Sequence, residues 1–366
     1  MQLSSSRPVK TFTARFEYAP YDESAIAREV AEHIGSDHHE IVITNKGFYD
    51  EDLWRIIRHY GQPFLDSSAI PTYFVSREIR RNVTVALCGD GGDEIFAGYK
   101  FFPNALRLDR LSRLPGALLT AGSRAIDFAC KIPSLQNLST LRIARRAAKI
   151  ARLPSNLRPG VIEDLFDLDE LFRMVSPILQ RRWNNLSDTV TEKILDSVKD
   201  SSRLRQLMHY RMKYSLPEDM LAKVDRMSMA NSLEVRAPLL SVEVTDLAMR
   251  LPDNLLIRDG VQKFILREVG RPWLPDVVYS HPKTGFQIPL HVFQNENYSR
   301  LCSRYVAESK NPIMTELFDR DALIKAVMRG DRGQFVEASM SVRRASHQLW
   351  GLLQLGAWAD YYAVSI

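Results

Sequence analysis

Cysteine is scarce, and no run is long and apolar enough to cross a membrane. The three cysteines among 366 residues, Cys88, Cys130 and Cys302, are odd in number, widely spaced and form no CxxC pair. A disulfide framework or structural zinc site is therefore not expected, and a reducing, cytoplasmic compartment fits best. The nearest approach to a span, residues 114–133 (LPGALLTAGSRAIDFACKIP), is interrupted by Arg124 and Asp127. It falls short of the ~20 apolar residues a span requires and reads as an amphipathic helix. The opening MQLSSSRPVKTFTARFEY lacks both an apolar core and a small-residue cleavage pattern, so no signal peptide and no membrane partner are expected. Internal repeats and low-complexity linkers are also missing. His38 and His39 have no third ligand nearby, which argues against a metal site there.

The excess of charge is small. Lysine and arginine number 49 against 44 acidic residues, a net +5. The basic residues are densest at 107–114 and 142–153, but Leu, Ile and Ala recur between the arginines at helical spacing. These are solvated helix faces rather than a nucleic-acid surface, and a mildly positive chain tolerates an anionic small molecule. With 45% apolar residues the chain can bury one large core or two smaller ones.

The first ~100 residues alternate short apolar runs with helical patterns, the signature of βαβ units. Residues 9–16 (VKTFTARF) predict a strand. DESAIAREVAEHIG carries Ala25, Ile26, Val30, Ala31 and Ile34 on one helical stripe, with Gly35 as its stop. HEIVIT (39–44) predicts a second strand, and EDLWRIIRHYG and PTYFVSREIRR predict helices. VTVALC (83–88) predicts a strand buried on both faces of a parallel sheet. From Tyr99 to about Asp200 the prolines at 103, 115, 133, 154, 159 and 177 divide a Leu/Arg/Ala-rich stretch into several helices, and helical character continues beyond Ser201. The expected organisation is a partial α/β core over 1–100, a helical insertion over 101–200 and a helical C-terminal region over 201–366.

The most informative segment is Gly89-Asp90-Gly91-Gly92-Asp93-Glu94, directly after the third strand. In open α/β sheets ligands bind beyond the carboxyl ends of strands, and glycines allow close backbone approach or positive φ. A phosphate cradle normally carries lysine rather than carboxylates. Here three carboxylates in five residues suit a hard cation bridging phosphate oxygens, or a base taking a proton from an amine or water. The alternative is structural, with Asp93 capping a helix that begins at Glu94. That alternative leaves Asp90 without a role.

This loop, LCGDGGDEIFAGY, resembles the second ATP-site motif of the asparagine synthetases, Ser-Gly-(Asp/Glu)-Gly-(Gly/Ser)-Asp-Glu. The resemblance extends in order from about Val9 to Pro289. It runs through TFTARF, YDESAIAREVAEHIGSDHHE, PFLDSSAIPTYFVS, the helical signature LPEDMLAKVDRMSMANSLEVRAPLL (216–240), KFILREVG and LPDVVYSHPKTGFQIP. It implies a parallel-sheet α/β fold like the adenine-nucleotide alpha hydrolases (ATP pyrophosphatases), followed by a large helical part. It also implies a chemistry. ATP activates a carboxylate such as aspartate's as an acyl-adenylate, releasing pyrophosphate, and ammonia from a glutaminase displaces AMP. By resemblance Cys88 and Gly89 lie against the nucleotide, and Ala14 lines the adenosine pocket. Asp93 matches a Mg²⁺ carboxylate, Asp90 the base for the incoming nitrogen, and Lys283 a lysine that neutralises charge during adenylation. Lys223, Asp225 and Arg226 read as structural ion pairs, and Met220, Val224 and Met227 as core.

The family's first ATP motif, Ser-Gly-Gly-x-Asp-Ser, has no counterpart, because none of the seventeen glycines belongs to an SGG tripeptide. The glutaminase and its N-terminal cysteine are not in the sequence either. The expectation is a chain truncated within the helix after that loop and of little activity alone, completed by a glutaminase subunit or domain encoded upstream. A non-catalytic fragment, a subunit of a split amidotransferase, and a relative amidating another substrate are the alternatives, and assembly as a homo-oligomer stays open. Cys88, Arg15 and Ser241 stand where the family has serine, a small residue and aspartate.

Overall fold

The computed structural model describes residues 1–44, 50–129, 132, 139–162, 166, 168–183, 189–281, 290, 295–331 and 340–365. Strand β1 (Lys10–Phe16) and strand β2 (Asp37–Ile43) pair in parallel, in register from Lys10↔Asp37 to Phe16↔Ile43. They are joined by helix α1 (Ser24–Ile34), which Gly35 stops with a left-handed φ of 69°. Alternation sorts the two faces. Phe12, Ala14, Phe16, Ile41 and Ile43 pack into the main core, whereas Thr11 points the other way and meets Ser36, just past α1, at 2.9 Å.

Helix α2 (Asp50–Tyr60) buries Leu53, Ile56, Ile57 and Tyr60, and helix α3 (Ala69–Arg80) buries Ala69, Ile70, Tyr73 and Phe74. Both are i, i+3, i+4, i+7-type stripes facing one core. The far end of the chain closes that core. Tyr298, Leu301, Leu323, Leu349, Trp350 and Leu353 join the same cluster, at about 1.5–3 kcal/mol for each large apolar side chain fully buried. A second core gathers helices α4 (Gly92–Ile95) and α5 (Phe101–Leu111) against Leu204, Leu207, Met208, Ala248 and Leu256.

The third strand departs from expectation. Strand β3 spans only Val85–Leu87, and Val85 and Leu87 are 42% and 50% exposed. Its partner is strand β4 (Glu234–Arg236), with Val85↔Glu234 and Leu87↔Arg236 in parallel register. Among the described residues β1–β2 and β3–β4 are separate two-stranded sheets, so nothing flanks β3 on its other edge and the two-sided burial is not realised. The signature over 216–240 is helical to Met229, and after that only in a 3₁₀ turn at Pro238–Leu240. A turn through Ser232, with φ 57°, then delivers Val235 to the ladder. The stretch Arg211–Leu221 is a π-helix that accommodates Pro217. Between Tyr99 and Asp200 several helices form, among them Gly116–Ala129 and Thr189–Asp196, and no described helix is long and apolar enough to cross a membrane.

An ion pair between a buried Lys223 and a partly buried Asp66 ties the segment leading into α3 to the helix Ala222–Met229. Lys223 Nζ lies 2.7 Å from Asp66 Oδ2, and Ser68 donates its backbone N–H (2.9 Å) and its hydroxyl (2.7 Å) to the same carboxylate. Arg226, in turn, donates to the carbonyls of His59 and Tyr60. Burial would raise the Asp66 carboxyl, but the Lys223 ammonium and the Ser68 donors outweigh it and hold the group below the usual carboxylate range. Lys223→Met leaves that carboxylate without its cation and is expected to cost about 3 kcal/mol, read as a fall in urea stability. A depressed folded pKa contributes stability that is complete above the unfolded value, about 3.9, and is lost as pH falls through the folded one. Urea midpoints should therefore hold from neutrality to about pH 5 and decline below about pH 4, with a shallower decline in Asp66→Asn.

Candidate functional site

Strand β3 leads straight into the acidic loop. The Cys88 N–H extends the ladder by donating to Arg236 O at 2.9 Å. The chain then turns at Gly91, whose φ is 86° and whose added Cβ would run into the Leu240 side chain, so both conformation and packing require glycine. Gly91 is the N-cap and α4 begins at Gly92. Asp93 is therefore not the cap. It and Glu94 occupy the first turn, where the helix end favours carboxylates.

The two neighbouring carboxylates point to different environments. Glu94 is 1% exposed and accepts the Tyr99 hydroxyl at 2.7 Å, with the Arg211 guanidinium 4.4 Å above the Tyr99 ring. Burial pushes the Glu94 carboxyl above its ordinary range. Asp93 turns outward, and its Oδ1 lies 3.0 Å from Lys263 Nζ, with both side chains about a quarter exposed (25% and 27%).

Lys263 is brought there by a hairpin. Strands β5 (Ile257–Arg258) and β6 (Val261–Gln262) are joined through Asp259 and Gly260, both at positive φ (51° and 81°), as a two-residue type I′ connection requires. The Gln262 amide donates to the carbonyls of Ala97 and Tyr99, fastening the hairpin to the segment after α4. Lys263 itself holds a left-handed φ of 52°, which costs a non-glycine residue of order 1 kcal/mol. Gly98 completes the arrangement, since a Cβ there would collide with Asp93 Oδ1 and Lys263 Cε.

The pair opens onto a cavity of about 610 Å³ lined by Thr13, Ile26, Ala27, Asp93, Lys263 and Arg267, among others. Two cations, Lys263 and Arg267, and two carboxylates, Asp93 and Glu23, line it, a mixed lining that suits an anion arriving with a bound cation. Among the described residues no cluster of three or more His, Cys, Asp or Glu could hold a metal alone. The Asp93 carboxylate beside this space does fit Mg²⁺, which keeps few protein ligands and takes the rest from phosphate oxygens and water.

The residues singled out from the sequence fall into three groups. Cys88, Gly89, Asp90 and Asp93 are together on the loop. Burial first, then the neighbouring Asp90 carboxylate, pushes the Cys88 thiol up to about 12, so at neutral pH it is protonated. Ala14 packs its side chain on the main core, and its neighbour Thr13 lines the cavity. Lys283 lies outside the described residues. Lys263 was not among the sequence candidates. Its signal was present in IRDGVQK, an Asp-Gly hairpin turn ending on a lysine.

A family model described as asparagine synthase matches residues 1–360. The chain belongs to the asparagine synthase family. It is 31% identical to asparagine synthetase [glutamine-hydrolyzing] 1 of Bacillus subtilis over 79% of its own length and 44% of that protein's. It is 30% identical to a putative asparagine synthetase [glutamine-hydrolyzing] of Mycobacterium tuberculosis over 76% and 41%. Against asparagine synthetase [glutamine-hydrolyzing] 3 of B. subtilis the figures are 22%, 95% and 50%. The chain thus spans about half the length of the relatives it matches.

Within the family's pattern, two of the departures have local structural explanations. Ser241 is the N-cap of the helix Val242–Arg250, accepting from Val244 N at 3.3 Å, a task serine and aspartate share. Arg15 is half-exposed and turns to Glu40 of β2, 3.4 Å away. Cys88 keeps a hydrogen-bond donor where serine has one, at the cost of a larger atom. Its raised pKa predicts slow alkylation. In a Cys130→Ser background, with Cys302 fully buried, iodoacetamide labelling should still be accelerating at pH 10, whereas an ordinary thiol levels off above about 8.5.

Proposed function

We propose that this chain carries one wall of an ATP-dependent amide-ligase site of the asparagine-synthetase type. The site would activate a carboxylate such as aspartate's with release of pyrophosphate, and then exchange AMP for ammonia. The observation that carries the reading is the Asp93–Lys263 pair, held across Gly98 at the mouth of a cavity lined by β1, α1 and the hairpin. An ion pair at a cavity mouth is a resting state for an anion site. Lys263 can transfer its charge from Asp93 to a phosphate oxygen, which frees the Asp93 carboxylate for Mg²⁺ when the nucleotide brings it. That ion supplies neutralisation of the pyrophosphate's charge.

In the first step the substrate carboxylate oxygen attacks the α-phosphorus and the bond to pyrophosphate breaks. Lys263, and Lys283 by family resemblance, offset the charge that develops on the leaving group. In the second step the nitrogen of ammonia attacks the acyl carbon, AMP departs with the bonding pair, and a proton must leave the nitrogen. By family resemblance Asp90, partly exposed on the loop, is the carboxylate that would take it. Gly89 gives the nucleotide close access to the backbone, and Ala14 and Thr13 bring β1 against it. The glutaminase that supplies ammonia is a proposed partner, and the cytoplasm the proposed location.

The absence of SGG from the 366 residues removes a set of phosphate donors, and even one such donor is worth about 10²–10³ in rate. The 366-residue chain, given ATP, Mg²⁺, aspartate and ammonium, is therefore expected to form AMP and asparagine at least about 10²-fold more slowly than a synthetase that carries the motif. A fluorescent ATP analogue should still bind and be displaced by Mg-ATP. Lys263→Met and Gly98→Ala should each weaken that binding about tenfold, or ~1.4 kcal/mol, with melting temperature little changed. Displaceable binding that is absent, or indifferent to both substitutions, rules the reading out.

A further inference from the structure

Beyond α5 an outward-turned apolar face coincides with the chain's densest positive charge. Helix α6 (Gly116–Ala129) packs on helix α7 (Ser139–Ala151). The covered side of α6 is Leu119, Ser123 and Ile126, with Ser123 buried. The opposite side reads Leu118, Ala121, Ala125 and Phe128, at i, i+3, i+7 and i+10, and all four are exposed, Leu118 to 61% and Phe128 to 71%. A helix apolar on both faces belongs in an interior, yet among the described residues this outer stripe stays open. Residues 107–152 hold ten lysines and arginines against two aspartates, a net +8 in a chain of +5, so the remainder sums to −3. Of the two acids, Asp109 is already engaged by Arg158 and Arg203. Arg110, Arg113 and Arg124 are exposed.

We propose that α6 is a peripheral anchor for an anionic lipid surface, lying in the bilayer interface with its Leu118–Phe128 stripe among the acyl chains and nearby arginines at the phosphates. At about 21 Å it is too short to cross a hydrocarbon core of about 30 Å, so it lies on the membrane and does not span it. Charge complementarity selects the occupant. An anionic bilayer answers the local excess of arginine and also buries the stripe, whereas the phosphates of a nucleic acid answer only the charge. A second copy joined through the same stripe would set its arginines against their own kind. Between Leu118 and Phe128 the stripe is only Ala121, Gly122 and Ala125, a smooth surface without the deep pocket that anchors a protein partner. Arg124 stands at the stripe's border, about 80° round the helix from its centre, and its long stem lets the guanidinium reach the phosphates while the stripe sinks. Sequence periodicity alone reads these helices as solvated; the outward turn of Leu118 and Phe128 is the structure's addition. The proposal does not depend on the ligase reading, since it concerns a different face of the chain.

The test floats the 366-residue chain through a density gradient with vesicles of phosphatidylcholine, alone or with about 30% phosphatidylglycerol. About tenfold more chain is expected to float with the anionic vesicles, and raising salt from about 0.1 M to about 0.5 M should cut that at least about threefold. Leu118→Asp and, separately, Phe128→Asp should each lower flotation about tenfold with melting temperature kept, because both side chains are exposed. Val242→Asp, 80% exposed on the helix Val242–Arg250, should leave flotation unchanged. The emission that Leu118→Trp adds should move to the blue on binding. Absent flotation, equal flotation with both vesicles, or anionic flotation that both Asp variants retain overturns the proposal. So does a dimer in vesicle-free buffer that Leu118→Asp dissociates (a second copy), or binding to duplex DNA that both Asp variants weaken equally (a nucleic acid).

Discussion

Everything at the candidate site hangs from a ladder only three residues long. Among the described residues strand β3 has one partner, β4, and the backbone contacts that extend it, Cys88 N to Arg236 O and Glu234 N to Thr84 O, are what aim the acidic loop. A three-residue strand with an open second edge is weak in isolation. It persists because both of its continuations are anchored, β4 by the helix that carries the Asp66–Lys223 pair, and the loop by α4 entering the second core with Ile95 and Phe96 buried. The site's position is thus a consequence of packing on either side of β3, more than of the sheet itself.

That dependence explains which parts of the structure were legible in advance. Periodicity identified β1, α1, β2, α2 and α3 because each has a strong stripe, such as Leu53, Ile56, Ile57 and Tyr60 on α2. It misjudged β3, since VTVALC has the composition of a doubly covered strand, whereas coverage depends on neighbours that composition does not report. It also missed β4, whose Glu-Val-Arg has no apolar run and is a strand only because β3 lies alongside. The acidic loop could be found from its residues, and the assignment of Asp93 as a cap could not survive. The cap depends on Gly91 taking a left-handed φ against Leu240, a contact between residues 149 positions apart in chain order. Lys263 was hidden for the same reason. A lysine acquires meaning only when a hairpin and a glycine place it against a carboxylate.

Asp93 and Glu94 illustrate how the fold separates chemistry from support. The two are consecutive and chemically alike, yet α4 directs one side chain into the protein and the other toward the cavity. Burial raises the proton affinity of Glu94, although the Tyr99 hydroxyl and the nearby Arg211 charge pull it the other way, and these partners fix it beside the second core. Asp93 keeps solvent contact and a partly exposed ammonium partner. A carboxylate that must exchange partners during a reaction has to remain partly hydrated, because a fully buried pair costs too much to open. The quarter exposure of both Asp93 and Lys263 is the compromise that such exchange needs.

The strain at Lys263 fits the same logic. A left-handed lysine at the start of a helix is unfavourable locally, and a relaxed backbone there would carry the ammonium away from Asp93. The surroundings hold it through contacts that do not involve its side chain: the paired β5–β6 ladder, the Asp259-Gly260 turn and the Gln262 amide clamped on the carbonyls of Ala97 and Tyr99. Because these anchors are backbone and amide contacts, the ammonium can leave Asp93 without releasing the hairpin. The geometry therefore separates the element that sets position from the group that changes partner, so that an anion entering the cavity could displace the ion pair while the wall that presents it stays in place.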